Sequence, residues 1–370
     1  MRIGIITLPL HVNYGGIMQS YALQTVLEQM GHSAWVIDKE VVPELTLKQI
    51  IRKIPLRLIK KYFLQENITM WPKQHYQHED YVQRCSLTRD FIFTNINLRK
   101  CHSLRDIRKN EFDAFIVGSD QVWRPSYFIA WGDISDAFLG FAENWNVKRI
   151  SYAASFGSDE WEYSVLETIA CKNLARKFDT ISVRERNGIA LCREHLNINS
   201  EFVLDPTFLL QDTDYCKLLP NKHTPIQNKL FCYVLDETED KITLVNKISA
   251  DKKLTPFYIN KDISASGNTP YQPVEKWLSS FRDSDFIITD SFHACVFSVI
   301  FHKPFICFNN KGRGAARFQI FKEELNLSDN IIGDSSEYNP KRDYKPTEIT
   351  YLQLHKLQKA SFNFLKDNLS

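Results

Sequence analysis

The 370-residue sequence predicts an α/β protein built from two Rossmann-like domains that face one another across a cleft. Three observations predict it. Short apolar runs of strand length alternate with helical patterns almost throughout, which is how parallel strands covered on both faces read in sequence. A polar stretch between Gln211 and Gln227, containing Pro220 and Pro225, splits that alternation into two series. Finally, 370 residues with 44% hydrophobic and 24% charged side chains exceed one ordinary core while keeping a globular composition. The division expected is residues 1–210 for an N-terminal, acceptor-side domain and 211–345 for a C-terminal, donor-phosphate domain. A last helix over 346–370 returns to pack on the first domain.

In order, Ile3–Leu8, Ala34–Ile37, Phe112–Val117, Arg149–Ala153, Thr180–Val183 and Phe202–Leu204 read as buried strands. Helical periodicity is clearest at Gly16–Met30, Tyr163–Lys177 and Arg186–His195. The second series runs strand Leu230–Leu235, helix Glu239–Ala250, strand Pro256–Ile259, helix Pro273–Arg282 and strand Asp285–Thr289. It continues through helix Phe292–Phe301, strand Phe305–Phe308 and helix Ala316–Leu325, and Leu352–Leu369 closes the chain.

Several function classes are disfavoured. A formal net charge of +2 supplies no global field for nucleic acid, so any anion must be held locally. The eight cysteines form no C-x-x-C pair and mostly sit among apolar neighbours, as at Phe231-Cys232-Tyr233, so reduced core thiols are expected and a metal site is not. Met1-Arg2 leads straight into the first strand, and no window approaches the ~20 apolar residues of a membrane span. A cytoplasmic protein is expected. The basic stretch over 48–61 (Lys48, Arg52, Lys53, Arg57, Lys60, Lys61 among isoleucines and leucines) reads either as a surface for anionic lipid or as core-facing helices with a solvated face, hinged at Pro55.

Candidate site residues collect where strands end, because ligands of open α/β sheets bind beyond the carboxyl ends of the strands. After the first strand come Asn13, Tyr14, Gly15 and Gly16, then Gln19 on the opening helix; the two glycines permit close approach of backbone to ligand, or simply a tight turn. The strand Phe112–Val117 delivers Gly118, Ser119, Asp120 and Gln121, with Asp120 suited to a sugar hydroxyl or a helix cap. Ser155 ends another strand. Arg184 follows Thr180–Val183, where its guanidinium suits a carboxylate or phosphate, or an ion pair with a nearby acid. Asp205 either binds ligand or shapes the Asp-Pro turn. His293 falls in the first turn of a helix opened by Asp290 and Ser291, beside unpaired backbone donors that attract anions. The Gly-rich basic loop at 310–318 brings Arg313 and Arg317 within reach of the same anion.

Taken together these segments resemble the polysaccharide pyruvyl transferase family. The motifs are Asn-Tyr-Gly-Gly-x-x-Gln at 13–19, Gly-Ser-Asp-Gln-Val-Trp at 118–123, Ser-Tyr-Ala-Ala-Ser-Phe-Gly at 151–157 and Val-Arg-Glu at 183–185. Asp-Pro-Thr at 205–207, Thr-Asp-Ser-Phe-His at 289–293 and Arg-Phe at 317–318 complete the set. The resemblance implies a GT-B-like fold and phosphoenolpyruvate as donor substrate, with no separate cofactor. It implies a sugar acceptor, free or lipid-linked. It also implies His293 as the catalytic histidine and Arg184 as the donor-binding arginine, with Ser291 and Phe292 beside the donor. Many members carry Arg-Leu-His where this chain has Ser291-Phe292-His293, which transfers the missing charge to Arg317 or Arg313. A nucleotide-sugar glycosyltransferase on the same architecture and a non-catalytic carbohydrate-binding component are the competing readings.

Overall fold

The computed structural model describes residues 1–39, 73–129, 131–220, 228–260, 269–309 and 315–369. The stretch 48–61 and Arg313, both singled out by sequence, lie outside the described residues.

Two parallel sheets organise the chain. The first contains β1 (Arg2–Ile6), β2 (Ser33–Lys39), β3 (Leu98–Cys101), β4 (Ala114–Val117), β5 (Lys148–Ala154), β6 (Thr180–Val183) and β7 (Glu201–Phe202), in the order β3-β2-β1-β4-β5-β6-β7. The second contains β8 (Lys229–Tyr233), β9 (Thr255–Tyr258), β10 (Phe286–Thr289), β11 (Phe305–Phe308) and β12 (Ile331–Ile332), in the order β12-β11-β10-β8-β9. Every pairing is parallel, as at Ile5 beside Ile116 and Ile288 beside Cys232. This is the GT-B-like arrangement of two Rossmann-like α/β units.

The principal helices are α1 (Tyr14–Gln29), α2 (Lys73–Asn95), α3 (Val165–Ala175), α4 (Arg186–Leu191), α5 (Glu239–Lys252), α6 (Val274–Arg282), α7 (Phe292–Ile300) and α8 (Glu348–Leu369). Central strands are apolar on both faces because helices cover both: Ile3 and Ile5 join one core with α1, while Ile6 and Val117 join the opposite one. The first core also takes in Trp277, Phe292 and Phe297, so α6 and α7 of the second unit share it with α1.

Strand order fixes where a ligand can sit. The order reverses between β1 and β4 in the first sheet and between β8 and β10 in the second, and each reversal opens a crevice at the carboxyl edge. The motifs after β1, β4 and β10 flank these two crevices.

The last helix crosses back to the first unit. Ser361 Oγ accepts from the backbone N–H of Leu204 at 2.9 Å, and Gln358 Nε2 donates to the Phe208 carbonyl at 2.6 Å. Phe364 packs on Tyr152, with ring centroids 6.2 Å apart.

One predicted element is corrected. Ala316–Leu325 is not a regular helix but a 3-10 turn, Ala315–Phe318, followed by a wide turn, Ile320–Glu324. Arg317, Phe318, Ile320 and Phe321 are all buried across these two turns.

Candidate functional site

The site is built around a carboxylate that no solvent reaches. Asp205 is fully buried, and its Oδ1 accepts from the Thr207 backbone N–H at 3.0 Å and the Thr207 hydroxyl at 2.6 Å. On the other oxygen, Arg184 Nη1 donates at 3.0 Å and Ser119 Oγ lies at 3.0 Å. His293 Nε2 stands 3.7 Å from that same Oδ2, an ion-pair separation too long for a hydrogen bond. Among the described residues this nitrogen has no hydrogen-bond partner, and the residue is buried. Burial acts to raise the Asp205 pKa, but His293, Arg184 and Thr207 outweigh it and hold the carboxyl well below the usual carboxylate range.

Arg184 is the hub of this cluster. Besides Asp205, its Nε faces Glu185 at 3.3 Å and its Nη2 faces Asp120 at 3.5 Å. Burial pulls its pKa down, yet Glu185, Asp120 and Asp205 together hold it above its ordinary value. The ion pair with nearby acids, one of the two readings of the sequence, is therefore present. The guanidinium also lies 4.8 Å from the Phe292 ring centroid, and Arg317 lies 6.0 Å from the same ring. Burial, then the charge of Arg184, lowers the Arg317 pKa to about 10. Arg184, Arg186 and Arg317 line a narrow hollow of about 10 Å3, room for about one water, together with Glu185, Glu323 and Glu324.

Helix ends complete the electrostatics. The first turns of α3, α5, α6 and α8 carry their own acids: Glu167, Glu239 with Asp240, Glu275 and Glu348. Neither α1 nor α7 has an acidic residue in its first turn or a side-chain cap from Asn13 or Ser291. Their positive ends are left uncompensated, and they meet. A β-carbon added to Gly15, the second residue of α1, would fall 2.0 Å from His293 Nδ1 in the first turn of α7. Only glycine lets the imidazole rest on that turn.

The remaining sequence candidates are brought to the same edge, mostly as framework. Gln19 is fully buried, donating to Thr7 Oγ1 at 2.9 Å and accepting from the Ser119 N–H at 3.0 Å, so it ties β1 to β4. Ser155 Oγ donates to Glu185 at 2.6 Å. Gln121 accepts from Arg124 at 3.2 Å and fills the space a side chain on Gly157 would need. Ser119, Asp120, Gln121 and Ser155 are thus buried supports where the sequence suggested cleft-lining groups. Asn13 is exposed at the cap of α1, with Gly16 packed beneath its amide. Tyr14 is also corrected. It is buried against the second unit, stacked on Trp277 at 5.3 Å, donating to the Gln272 carbonyl at 2.6 Å and accepting from Asn260 at 2.9 Å.

Sequence reasoning missed Thr207 and Glu185 as site members, although both stand inside the quoted motifs. It also missed Arg186, which pairs with Glu324 across the units. Among the described residues no His, Cys, Asp and Glu cluster could hold a metal ion, and no helix is long and apolar enough to cross a membrane. The cysteines are free thiols, all but Cys216 buried.

Fold and site together define a two-domain α/β protein whose central cluster is assembled from both units. The chain belongs to the polysaccharide pyruvyl transferase family, whose sequence model matches residues 13–312. A sequence search of curated proteins matches none. Solved structures similar to it include UDP-GlcNAc 2-epimerase of Methanocaldococcus jannaschii in complex with UDP-GlcNAc and UDP, at 11% identity and a TM-score of 0.46, covering 97% of this chain and 99% of that one. MurG of Acinetobacter baumannii is another, at 10% identity and a TM-score of 0.39, covering 98% and 94% of the two chains. The heptosyltransferase WaaC of E. coli with ADP matches over 100% of both chains, at 10% identity and a TM-score of 0.38.

Proposed function

We propose that the protein transfers the pyruvyl group of phosphoenolpyruvate to two hydroxyls of one sugar, closing a cyclic ketal and releasing phosphate. The observation that carries this reading, beside the family match, is the meeting of His293 with Asp205 and Gly15 at the uncompensated end of α7. The donor carries a phosphate and a carboxylate, and such a ligand calls for guanidinium groups and helix-end N–H donors more than for an apolar pocket.

Charge counting gives His293 its role. Two guanidinium groups, Arg184 and Arg317, face three carboxylates, Asp120, Glu185 and Asp205, so an anionic donor would meet an acid excess. An imidazolium at His293 balances the cluster, and Asp205 steadies it. That proton passes to the donor methylene carbon, leaving C2 as an oxocarbenium-like centre. One sugar hydroxyl adds to C2 and loses its proton to the imidazole. A second hydroxyl of the same sugar then displaces phosphate, its proton leaving with the phosphate or to solvent. Arg317 and the α7 N-terminus hold the phosphate. Arg184 fixes Asp205 and lends its charge through the hollow it lines. No cofactor beyond the donor is required. The acceptor in this reading is a hexose of a lipid-linked or growing surface polysaccharide.

General acid–base catalysis contributes roughly 10²–10⁴-fold. His293→Ala should therefore lower kcat by about that factor, with the fold retained by far-UV circular dichroism, in an assay of phosphate release from phosphoenolpyruvate and a hexose acceptor. Wild-type turnover in this variant would overturn the assignment, and no phosphate release from the wild-type protein with any acceptor would overturn the activity.

A further inference from the structure

Away from the Asp205 cluster, one buried carboxylate keeps an oxygen with no well-placed donor among the described residues. Asp38 stands near the end of β2, fully buried, on the face that carries Ala34 and Val36 into the core shared with α1 and α2. Its Oδ2 accepts from Arg89 Nη1 at 3.0 Å, and the Leu10 backbone N–H also acts on the carboxylate, but its Oδ1 has no partner in hydrogen-bonding geometry among the described residues. Buried polar atoms in native proteins are nearly always paired, so an orphaned carboxylate oxygen beside a ligand edge marks a place for a donor.

Arg89 reaches Asp38 from α2. Its Nη1 also donates to the Leu10 carbonyl at 3.2 Å, and its guanidinium lies 4.6 Å from the Phe93 ring centroid. No hydrogen bond engages its Nε or Nη2 among the described residues, and the side chain keeps 21% of its surface exposed. His11 sits close by, on the loop between β1 and α1; burial and then the Arg89 charge lower its pKa. The pair thus offers one carboxylate oxygen without a well-placed donor next to guanidinium donors without acceptors among the described residues. Adjacent hydroxyls of a sugar ring fit both needs, since each hydroxyl donates one hydrogen bond and accepts others. A phosphate fits only the arginine and is repelled by the carboxylate.

The location ties the pair to the reaction. β2 lies beside β1, and β4, which delivers Ser119 to Asp205, lies one strand further along the same carboxyl edge. With strands ~4.8 Å apart, Asp38 stands on the order of 10 Å from the cluster, beyond the span of the sugar ring that receives the pyruvyl group. We propose that Asp38 and Arg89 form a second sugar subsite, binding the hydroxyls of a neutral sugar residue next to the one modified. This rests on the pyruvyl-transfer reading and adds that the acceptor is at least a disaccharide.

Saturation-transfer NMR on the full chain tests it, with lactose and α-1,3-mannobiose as neutral probes and inorganic pyrophosphate as the anionic one. Calorimetry of phosphoenolpyruvate binding runs alongside. Asp38→Asn keeps the shape of the side chain, and the double variant Asp38→Leu/Arg89→Met removes both charges together so that neither is left buried alone. At least one disaccharide should bind the wild type and weaken tenfold or more in both variants, while phosphoenolpyruvate affinity changes less than twofold. Disaccharide binding that survives both changes overturns the subsite. So does binding of pyrophosphate alone, or of none of the three probes. Failure of phosphoenolpyruvate to bind the wild type would count instead against the pyruvyl reading, and the sugar measurements would stand independently.

Discussion

At the residue scale the site combines a carboxylate that stabilises the fold with a guanidinium that costs it stability. The Asp205 pKa is depressed in the folded chain, so its contribution is present above the usual carboxylate value of ~3.9 and is lost only as pH falls through the lower folded value. Asp205→Asn should leave Arg184 and His293 short of a counter-charge, lowering stability by about 3–5 kcal/mol, the scale for breaking a buried pair, as read by urea denaturation at pH 7. Arg317 has the opposite sign. Its folded value of about 10 lies below the ordinary 12.5, so the unfolded chain holds the proton more tightly. The ionised side chain therefore costs stability at every pH below about 10, and the cost fades only as pH rises from there toward 12.5. Arg317→Met should raise the stability of the ligand-free protein by roughly 1–3 kcal/mol while weakening phosphoenolpyruvate binding at least tenfold. Thermal melts with and without donor check both halves; a variant that loses stability and keeps donor affinity contradicts the assignment of Arg317 to the donor phosphate.

At the element scale the working parts are two helix ends pressed together. Alanine has the higher helix propensity, so Gly15→Ala would favour α1 by about 1 kcal/mol if nothing else changed. The new methyl group cannot share space with His293 Nδ1, 2.0 Å away, and the imidazole must shift. Displacing a catalytic group by about an ångström costs on the order of 10²-fold, so Gly15→Ala should cut kcat by that factor and leave the far-UV circular dichroism unchanged. Much of this edge is legible in sequence, because buried parallel strands are nearly continuous apolar runs and their ends are marked by small and polar residues. Phe305–Phe308 is predicted to the residue, and Phe292 as the start of α7 likewise. What escapes notice lacks that contrast. β3 is a partly exposed edge strand reading Leu-Arg-Lys-Cys, α2 is largely polar over Lys73–Asn95, and β12 has two residues. The apolar run Ala34–Ile37 stops before Asp38, although the strand continues through it to Lys39. The role of Tyr14 was equally hidden. Nothing local distinguishes a tyrosine that meets a ligand from one that meets another domain.

At the scale of the whole molecule, the cluster exists only while the two units are closed on each other. His293 belongs to the second unit, and Asp205, Arg184 and Gly15 to the first, so separation by a few ångströms would dissolve the arrangement. Tyr14 is a principal latch. It stacks on Trp277, and its hydroxyl joins the Gln272 carbonyl and the Asn260 amide, both of the second unit. Arg186 with Glu324 adds a second clasp, more exposed and correspondingly weaker. Tyr14→Phe keeps the stack and removes only the hydroxyl, leaving its two partners without their bonds at a cost of about 1–3 kcal/mol to the closed form. If donor binds only when the units are closed, its apparent affinity scales with the closed fraction, whereas turnover of the saturated enzyme does not. The expected result is a KM for phosphoenolpyruvate raised about 5- to 100-fold with kcat within twofold of wild type, and a larger radius of gyration by solution scattering that saturating donor restores. An unchanged KM would show that the latch does not govern entry of the donor, and a fall in kcat alone would place Tyr14 in the chemistry rather than in the hinge.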